Sequence, residues 1–256
     1  MSIANLSADW IRRYHPAPDA AARMLCLPHA GGSASFFFPM SRDLTPRVEV
    51  LAVQYPGRQD RYQEPCLTSV DDFADQIGAA LADLEWADGA DGERPLALFG
   101  HSLGASVAFE LTRRLEAAGR KPAVLFVSGR RAPSRHRTDT VHLRPDSGLL
   151  AELRTLDGTD SPLLADPDVV RMILPALRND YRAAETYQYR PGPPLTTPVC
   201  AFMGESDPRV DHDDMRAWQE HTGGGFELFG YPGGHFYLKD HRPALTGVIA
   251  DRLTAG

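Results

Sequence analysis

The chain has 256 residues, of which 43% are hydrophobic and 24% charged, enough to bury a core without help from metal or disulfides. Its formal charge of −7 argues against a general nucleic-acid binder, and the absence of any run of eighteen apolar residues argues against a membrane span. Of the 27 cations, 25 are Arg, the side chain best suited to phosphate recognition; the two lysines are Lys121 and Lys239.

The first twenty residues carry charge and proline where a secretory leader needs continuous hydrophobes, so a cytoplasmic location is expected. The first apolar run, Arg23 to Leu27, leads into Pro28-His29-Ala30-Gly31-Gly32. The second, Val48 to Val53, ends at Tyr55-Pro56-Gly57-Arg58. Ser69-Val70-Asp71-Asp72 has the form of a capping box with Asp in place of Glu. Behind it Val70, Phe73, Ile77, Ala80, Leu81 and Leu84 share one helical face. The third run, Leu96 to Phe99, ends at Gly100. A helix follows from Gly104 to Ala118, with Val107, Ala108, Leu111 and Leu115 at helical spacing, and Gly119 stops it.

The fourth run, Ala123 to Val127, ends at Ser128-Gly129, and 68 residues then separate Gly129 from Pro198, too many for one crossover helix. Within them Asp146 to Leu156 and Asp168 to Tyr187 read as amphipathic helices. Asp157 to Asp166 between them is rich in Gly, Pro and Asp, as a loop should be. The spacing thus predicts a helical insertion at about 130–195, either a lid and pocket wall or a merely ornamental hairpin. The fifth run is Pro198 to Met203 and the sixth Phe226 to Phe229. A last helix from Pro243 to Leu253 has its proline near the first turn.

Continuous apolar runs, rather than alternating ones, mark strands buried on both faces. Six of them with intervening helices predict an α/β fold: a mostly parallel central sheet, helices on both faces, and one domain spanning 1–256. No repeat and no linker between two cores is visible. Cys26, Cys66 and Cys200 cannot all pair within one chain. Cys26 and Cys200 lie in strand-like runs, so buried free thiols are expected.

The sharpest chemical signal is Gly100-His101-Ser102-Leu103-Gly104, set between a strand and a helix. That turn is so tight that side chains two residues either side of Ser102 would not fit. It lifts the hydroxyl above the sheet at the positive end of the helix. A nucleophilic serine needs a base, and the base needs an orienting acid. Asp207 follows the fifth run in Gly204-Glu205-Ser206-Asp207-Pro208, with Glu205 and Asp211 as rivals. His235 follows the sixth in Tyr231-Pro232-Gly233-Gly234-His235, with His241 as rival base. The order Ser, Asp, His is that of α/β-hydrolases. The oxyanion hole is expected from the Leu103 N–H and from a second amide in the Pro28–Gly32 loop, for which Ala30 is chosen, with His29 as a supporting side chain. No zinc, haem, dinucleotide or phosphate-loop motif is present, so neither metal nor cofactor is expected. His15, His136, His142, His212 and His221 are expected at the solvated surface.

With these residues in hand, the chain resembles the freestanding type II thioesterases that accompany polyketide synthases and non-ribosomal peptide synthetases. The similarity runs almost end to end. It covers Trp10, Leu27-Pro28-His29-Ala30-Gly31-Gly32-Ser33-Ala34, Val53-Gln54-Tyr55-Pro56-Gly57-Arg58 with Asp60-Arg61, and Gly100 to Ala105. It continues through Ser128-Gly129-Arg130, Gly204 to Asp207, and Gly233-Gly234-His235-Phe236. Tyr55 stands where these enzymes often have Leu. The Gly-His-Ser-x-Gly piece is shared by many hydrolases, whereas the Pro-His-Ala-Gly-Gly and Pro-Gly-Arg pieces together are more specific.

The resemblance implies an editing enzyme that removes stalled or wrong acyl groups from the phosphopantetheine arm of acyl or peptidyl carrier domains in antibiotic biosynthesis. Ser102, His235 and Asp207 would be its triad, and the enzyme a standalone monomer. Carrier domains are acidic, so a local basic patch is needed on this acidic chain. Arg58, Arg61, Arg130 and Arg131, with Arg135 and Arg137, follow strand ends on the face where the site should open. They are candidates for the phosphate or the carrier, with plain surface charge as the alternative. Rival functions are an acyltransferase, a general carboxylesterase, a cyclising thioesterase domain cut from a synthase, and a non-catalytic binding version of the fold.

Overall fold

A computed structural model describes residues 6–82, 94–157 and 166–254. Leu84 and most of the 157–166 loop expected from the sequence lie outside the described residues. Among them, seven strands form one sheet: β1 (Ile11–Arg12), β2 (Ala22–Leu27), β3 (Val48–Val53), β4 (Leu96–His101), β5 (Leu125–Ser128), β6 (Val199–Gly204) and β7 (Phe226–Tyr231). Their spatial order is β1-β3-β2-β4-β5-β6-β7. All neighbours pair in parallel except β1, which runs antiparallel along β3 with Ile11 opposite Val53. This is the mostly parallel sheet expected from the six apolar runs, in the α/β-hydrolase fold expected from the order Ser, Asp, His. The added edge strand β1, which follows α1 (Leu6–Trp10), is two residues long, too short to leave a periodic signal.

Alternate residues of each strand feed opposite faces, as the pleat requires. Leu25, Leu27, Leu51, Val53 and Leu98 pack on one side against α3 (Val70–Ala82) and α4 (Leu103–Ala117). Met24, Cys26, Val50, Ala52 and Phe99 pack on the other side against α2 (Phe38–Leu44) and α8 (Arg242–Thr254). The Ser69 hydroxyl accepts from the Asp72 N–H at 3.1 Å and so caps α3. Gly119, at φ +76°, ends the run of α4.

Between β5 and β6 lie α5 (Asp146–Asp157) and α6 (Pro167–Thr186), the two helices expected there. Asp166 caps α6 through its side chain, and α6 continues through Pro175. Val141, Leu149, Leu177 and Tyr181 form a small core of their own, and Ala30 of the loop after β2 packs against it. A short α7 (His212–Arg216) follows β6, closed by a capping box between Asp211 and Asp214. No helix among the described residues is long and apolar enough to cross a membrane.

Cys26 and Cys200 are buried and Cys66 half-buried, all three as free thiols. Burial raises their thiol pKa values, that of Cys200 to about 12. With a thiol reagent at neutral pH, Cys66 is expected to react first, and Cys26 and Cys200 only after denaturant is added. Three equally fast thiols would contradict this packing.

Candidate active site

Ser102 sits between the end of β4 and the start of α4 at φ 55°, ψ −116°, a backbone region that non-glycine residues rarely occupy. Packing forces the turn. A Cβ added to Gly100 would lie 2.2 Å from the Gly104 carbonyl oxygen, and one on Gly104 would lie 2.1 Å from that of Leu27. The Ser102 N–H donates to the Ser128 carbonyl at 2.8 Å, tying the turn to β5. Leu103 is the first residue of α4, so its N–H has no partner one turn back and points out at the positive helix end.

His235 and Asp207 come from the loops after β7 and β6. The two loops are held together by the Glu205 N–H on the Tyr231 carbonyl (2.8 Å) and the Ser206 N–H on the Gly233 carbonyl (2.9 Å). This brings His235 Nδ1 to 2.8 Å from Asp207 Oδ2. The other carboxylate oxygen accepts from the Arg209 N–H at 2.8 Å. Both side chains are almost fully buried, so the acid is locked in place with no lone pair turned to water. The rivals are occupied elsewhere: Asp211 caps α7, Glu205 lies beside Gly230, and His241 stacks on Tyr231.

Ser102, Leu103, His235, His29 and Ala30 line one cleft of about 50 Å³, walled on the far side by Leu153, Leu156 and Tyr181 of α5 and α6. In the loop after β2, the Gly31 N–H donates to Asp180 and the Gly32 N–H to the His29 carbonyl at 2.9 Å. The Ala30 N–H, like that of His29, has no partner among the described residues.

Beside His235 lie two further imidazoles, His101 fully buried behind the cleft and His29 half-buried in its wall. His101 Nδ1 pairs with Ser128 Oγ at 3.0 Å, and that hydroxyl with the Tyr237 hydroxyl at 2.7 Å. The His101 ring centroid is 4.9 Å from that of His235, and His29 is packed between Phe36 and Phe236. Burial, with His235, Lys239 and Arg58 nearby, pushes His29 down to about 3. Burial, then His235 and His29, holds His101 well below the usual imidazole range.

Both imidazoles are therefore neutral in the folded protein, whereas the unfolded chain binds protons on them below about pH 6.5. Between the folded and unfolded values the unfolded state carries more protons, so stability is complete above about pH 6.5 and falls with acidification. The fully buried His101 contributes about 1.4 kcal/mol per pH unit well inside that window, and the half-buried His29 less. The melting temperature is expected to drop steeply below pH 6, and less so in His29→Asn. A wild-type curve flat from pH 7 to 5 would contradict neutral burial.

The arginines divide. Arg58 and Arg61, expected at the mouth, are instead buried and bonded within the protein. Arg58 lies against Asp180; Arg61 lies over the Trp10 ring (4.4 Å) and donates to the Gln54 carbonyl (2.9 Å) and to Glu64. A salt-bridged, desolvated guanidinium is not free to meet a partner. Arg130 and Arg131 do line the cleft. Arg130 donates to Ser106 Oγ at 2.9 Å and the Ala184 carbonyl at 2.8 Å. With no carboxylate bonded to it, burial and the neighbouring Arg131 lower it to about 10. Arg131 binds Asp139 at 2.7 Å. Arg135 and Arg137 remain about half exposed.

Arg209, which the sequence reading did not single out, also lines the cleft, where it meets Glu152 of α5. Its position beyond the Asp-Pro turn left no motif to find it by. His221 corrects the surface expectation: it is buried, paired with Ser134 Oγ at 2.9 Å and set edge-on to Tyr189. Among the described residues, no group of three or more His, Cys, Asp or Glu side chains is placed to hold a metal.

Residues 22–253 match the family described as thioesterase domain. Thioesterase PikA5 of Streptomyces venezuelae is 53% identical over 96% of this chain and 86% of its own length. Gramicidin S biosynthesis protein GrsT of Aneurinibacillus migulanus is 36% identical over 91% of this chain and 90% of its own. Among solved structures, the type II thioesterase BorB from the borrelidin biosynthetic cluster is 54% identical, with a TM-score of 0.87 over 95% of this chain and 97% of that one. The type II thioesterase YbtT from the yersiniabactin NRPS/PKS pathway is 29% identical, with a TM-score of 0.84 over 95% and 98% of the two chains.

Proposed function

This chain belongs to the thioesterase domain family and is a thioesterase, and from that premise we propose that it clears acyl groups from the phosphopantetheine arm of carrier domains in a polyketide or non-ribosomal peptide pathway. The observation that carries the reading is Ser102 on a strained turn, in one cleft with a His235 whose Nδ1 is held by Asp207 at 2.8 Å. The relatives named above, two of them structures titled type II thioesterases, support the pathway.

In the first half-reaction Ser102 Oγ attacks the thioester carbonyl and its proton passes to His235 Nε2, the ring nitrogen that Asp207 leaves open. The Ala30 and Leu103 amides receive the negative charge that develops on the carbonyl oxygen. The C–S bond then breaks, and the departing sulfur takes the proton from His235. In the second, water gives a proton to His235 and attacks the acyl-Ser102 ester. Collapse returns that proton to Ser102 Oγ and releases the carboxylic acid. A thiolate leaves readily, so deacylation asks more of His235 than acylation does.

The cleft measures about 50 Å³, and Leu153, Leu156 and Tyr181 close its far side. With α5 and α6 where they lie, this favours short acyl groups, and the insertion acts as the wall of the acyl chamber. For the carrier itself, the half-exposed Arg135 and Arg137 are placed to contribute, whereas Arg131 is salt-bridged to Asp139 and largely buried.

The test is hydrolysis of a panel of acyl groups on a carrier domain, beside simple esters, with Ser102→Ala as control. Carrier-bound short acyl groups are expected to turn over fastest. Transfer to a second carrier faster than hydrolysis would make it an acyltransferase, and equal turnover of esters would make it a general carboxylesterase.

A further inference from the structure

Asp180 lies in the middle of α6, among the helices inserted between β5 and β6, yet its contacts are in the core. It is fully buried and accepts three hydrogen bonds. One comes from the Gly31 N–H at 2.7 Å, and two come from Arg58, Nη1 at 2.6 Å on Oδ2 and Nη2 at 2.9 Å on Oδ1. Arg58 in turn donates from Nη1 to the Gly32 carbonyl at 3.0 Å and from Nε to the Pro56 carbonyl at 3.2 Å. The pair therefore grips both the N–H of Gly31 and the C=O of Gly32. One turn earlier on α6, Leu177 closes the same contact: a Cβ on Gly31, which is at φ +73°, would meet Leu177 Cδ1 at 2.8 Å. Tyr55 and Gln54 steady the loop's flanks, through the Pro28 carbonyl (3.3 Å) and the Ala34 N–H (3.0 Å).

We propose that Asp180, braced by Arg58, is a positioning residue that aims the Ala30 amide at the substrate oxygen by clamping the peptide on its C-terminal side. The inference rests on the Ala30 and Leu103 amides being the oxyanion hole. The peptide joining Ala30 to Gly31 is planar, so holding its N–H fixes one of the two planes that meet at Ala30. Gly31 and Gly32 have no side chains with which to anchor themselves, so the conformation of this stretch depends on the groups that hold its backbone. A buried ion pair is a weak source of stability, and an apolar pair of similar size often replaces one without loss. Orientation of a polar loop is something an apolar pair cannot supply. The clamp also joins the inserted helix to the catalytic loop: displacing α6 releases the oxyanion loop with it.

The expected size follows from two limits. Deleting an oxyanion donor costs about 10²–10³-fold in kcat, and misplacing a group by about 1 Å costs up to about 10²-fold. Two variants test the clamp: Asp180→Asn, and the apolar pair Arg58→Met with Asp180→Leu. Each is measured per titrated active site for kcat and KM on a short acyl-pantetheine thioester. Inhibition by a boronic acid that forms a reversible tetrahedral adduct on Ser102 is measured too, with the melting temperature.

In both variants kcat is expected to fall about 10–100-fold with KM within about threefold, and boronate inhibition to weaken by the same factor as kcat. In the apolar pair the melting temperature is expected to return to near that of the wild type while kcat stays low. Recovery of kcat together with stability in that pair would overturn the proposal, as would a loss of kcat with boronate inhibition unchanged. Ser102→Ala run alongside separates the two levels. If it hydrolyses like the wild type, the reading of the site itself fails. If it is inactive while both clamp variants keep wild-type kcat, only the clamp fails.

Discussion

Ser102→Ala is expected to lower kcat for acyl-thioester hydrolysis by at least about 10⁴-fold while leaving the melting temperature within a few degrees. The loss is large because the acyl-enzyme route disappears altogether. The remaining catalysis comes from the two amides and from substrate positioning. Stability is spared because the strain at φ 55° belongs to the backbone, which the Gly100 and Gly104 contacts hold whatever the side chain at 102. The measurement is steady-state hydrolysis with a thermal melt on the same sample. A variant that kept a tenth of the activity would remove Ser102 from the chemistry.

Asp207→Asn is expected to cost about 10⁴-fold in kcat at pH 7, with the fold intact. Asp207 Oδ2 accepts from His235 Nδ1 at 2.8 Å, which in the neutral ring leaves Nε2 as the acceptor that the proposed base requires. An asparagine that turned its NH₂ to Nδ1 would drive the proton to Nε2, the wrong tautomer for a base. Glu205→Gln is expected to stay within about threefold of wild type. Asp211→Asn should behave likewise, with a loss near 1 kcal/mol or below for the weakened cap of α7. A large loss at either of those positions, with Asp207→Asn active, would move the acid to another side chain.

Asp207 shows how far the sequence could be read. It was legible as a candidate because it follows an apolar run in the chain order of α/β-hydrolases, but the sequence left Glu205 and Asp211 as rivals. The choice depended on the pairing of the Glu205 and Ser206 amides with the next strand-end loop, which turns Asp207 and not its neighbours toward His235. Arg58 is the converse. Its place after β3 was read from the sequence, and its chemistry was not. Nothing in Pro56-Gly57-Arg58 announces a partner 122 residues away that takes the guanidinium out of solvent. The burial of His221 is hidden for the same reason, since Phe109 and Tyr189 reach it from other elements.

The order of residues by itself determined the parallel sheet and the turn that carries Ser102. Those features leave local marks: apolar runs long enough to be buried on both faces, and a Gly-x-Ser-x-Gly pattern set between a strand and a helix. Which acid bonds to His235, which arginines stay exposed, and the hold of a helix of the insertion on the loop after β2 emerge from the folded chain alone. Each of those depends on burial and on hydrogen bonds between distant segments, and a charged group's role is set by whichever segment removes it from water.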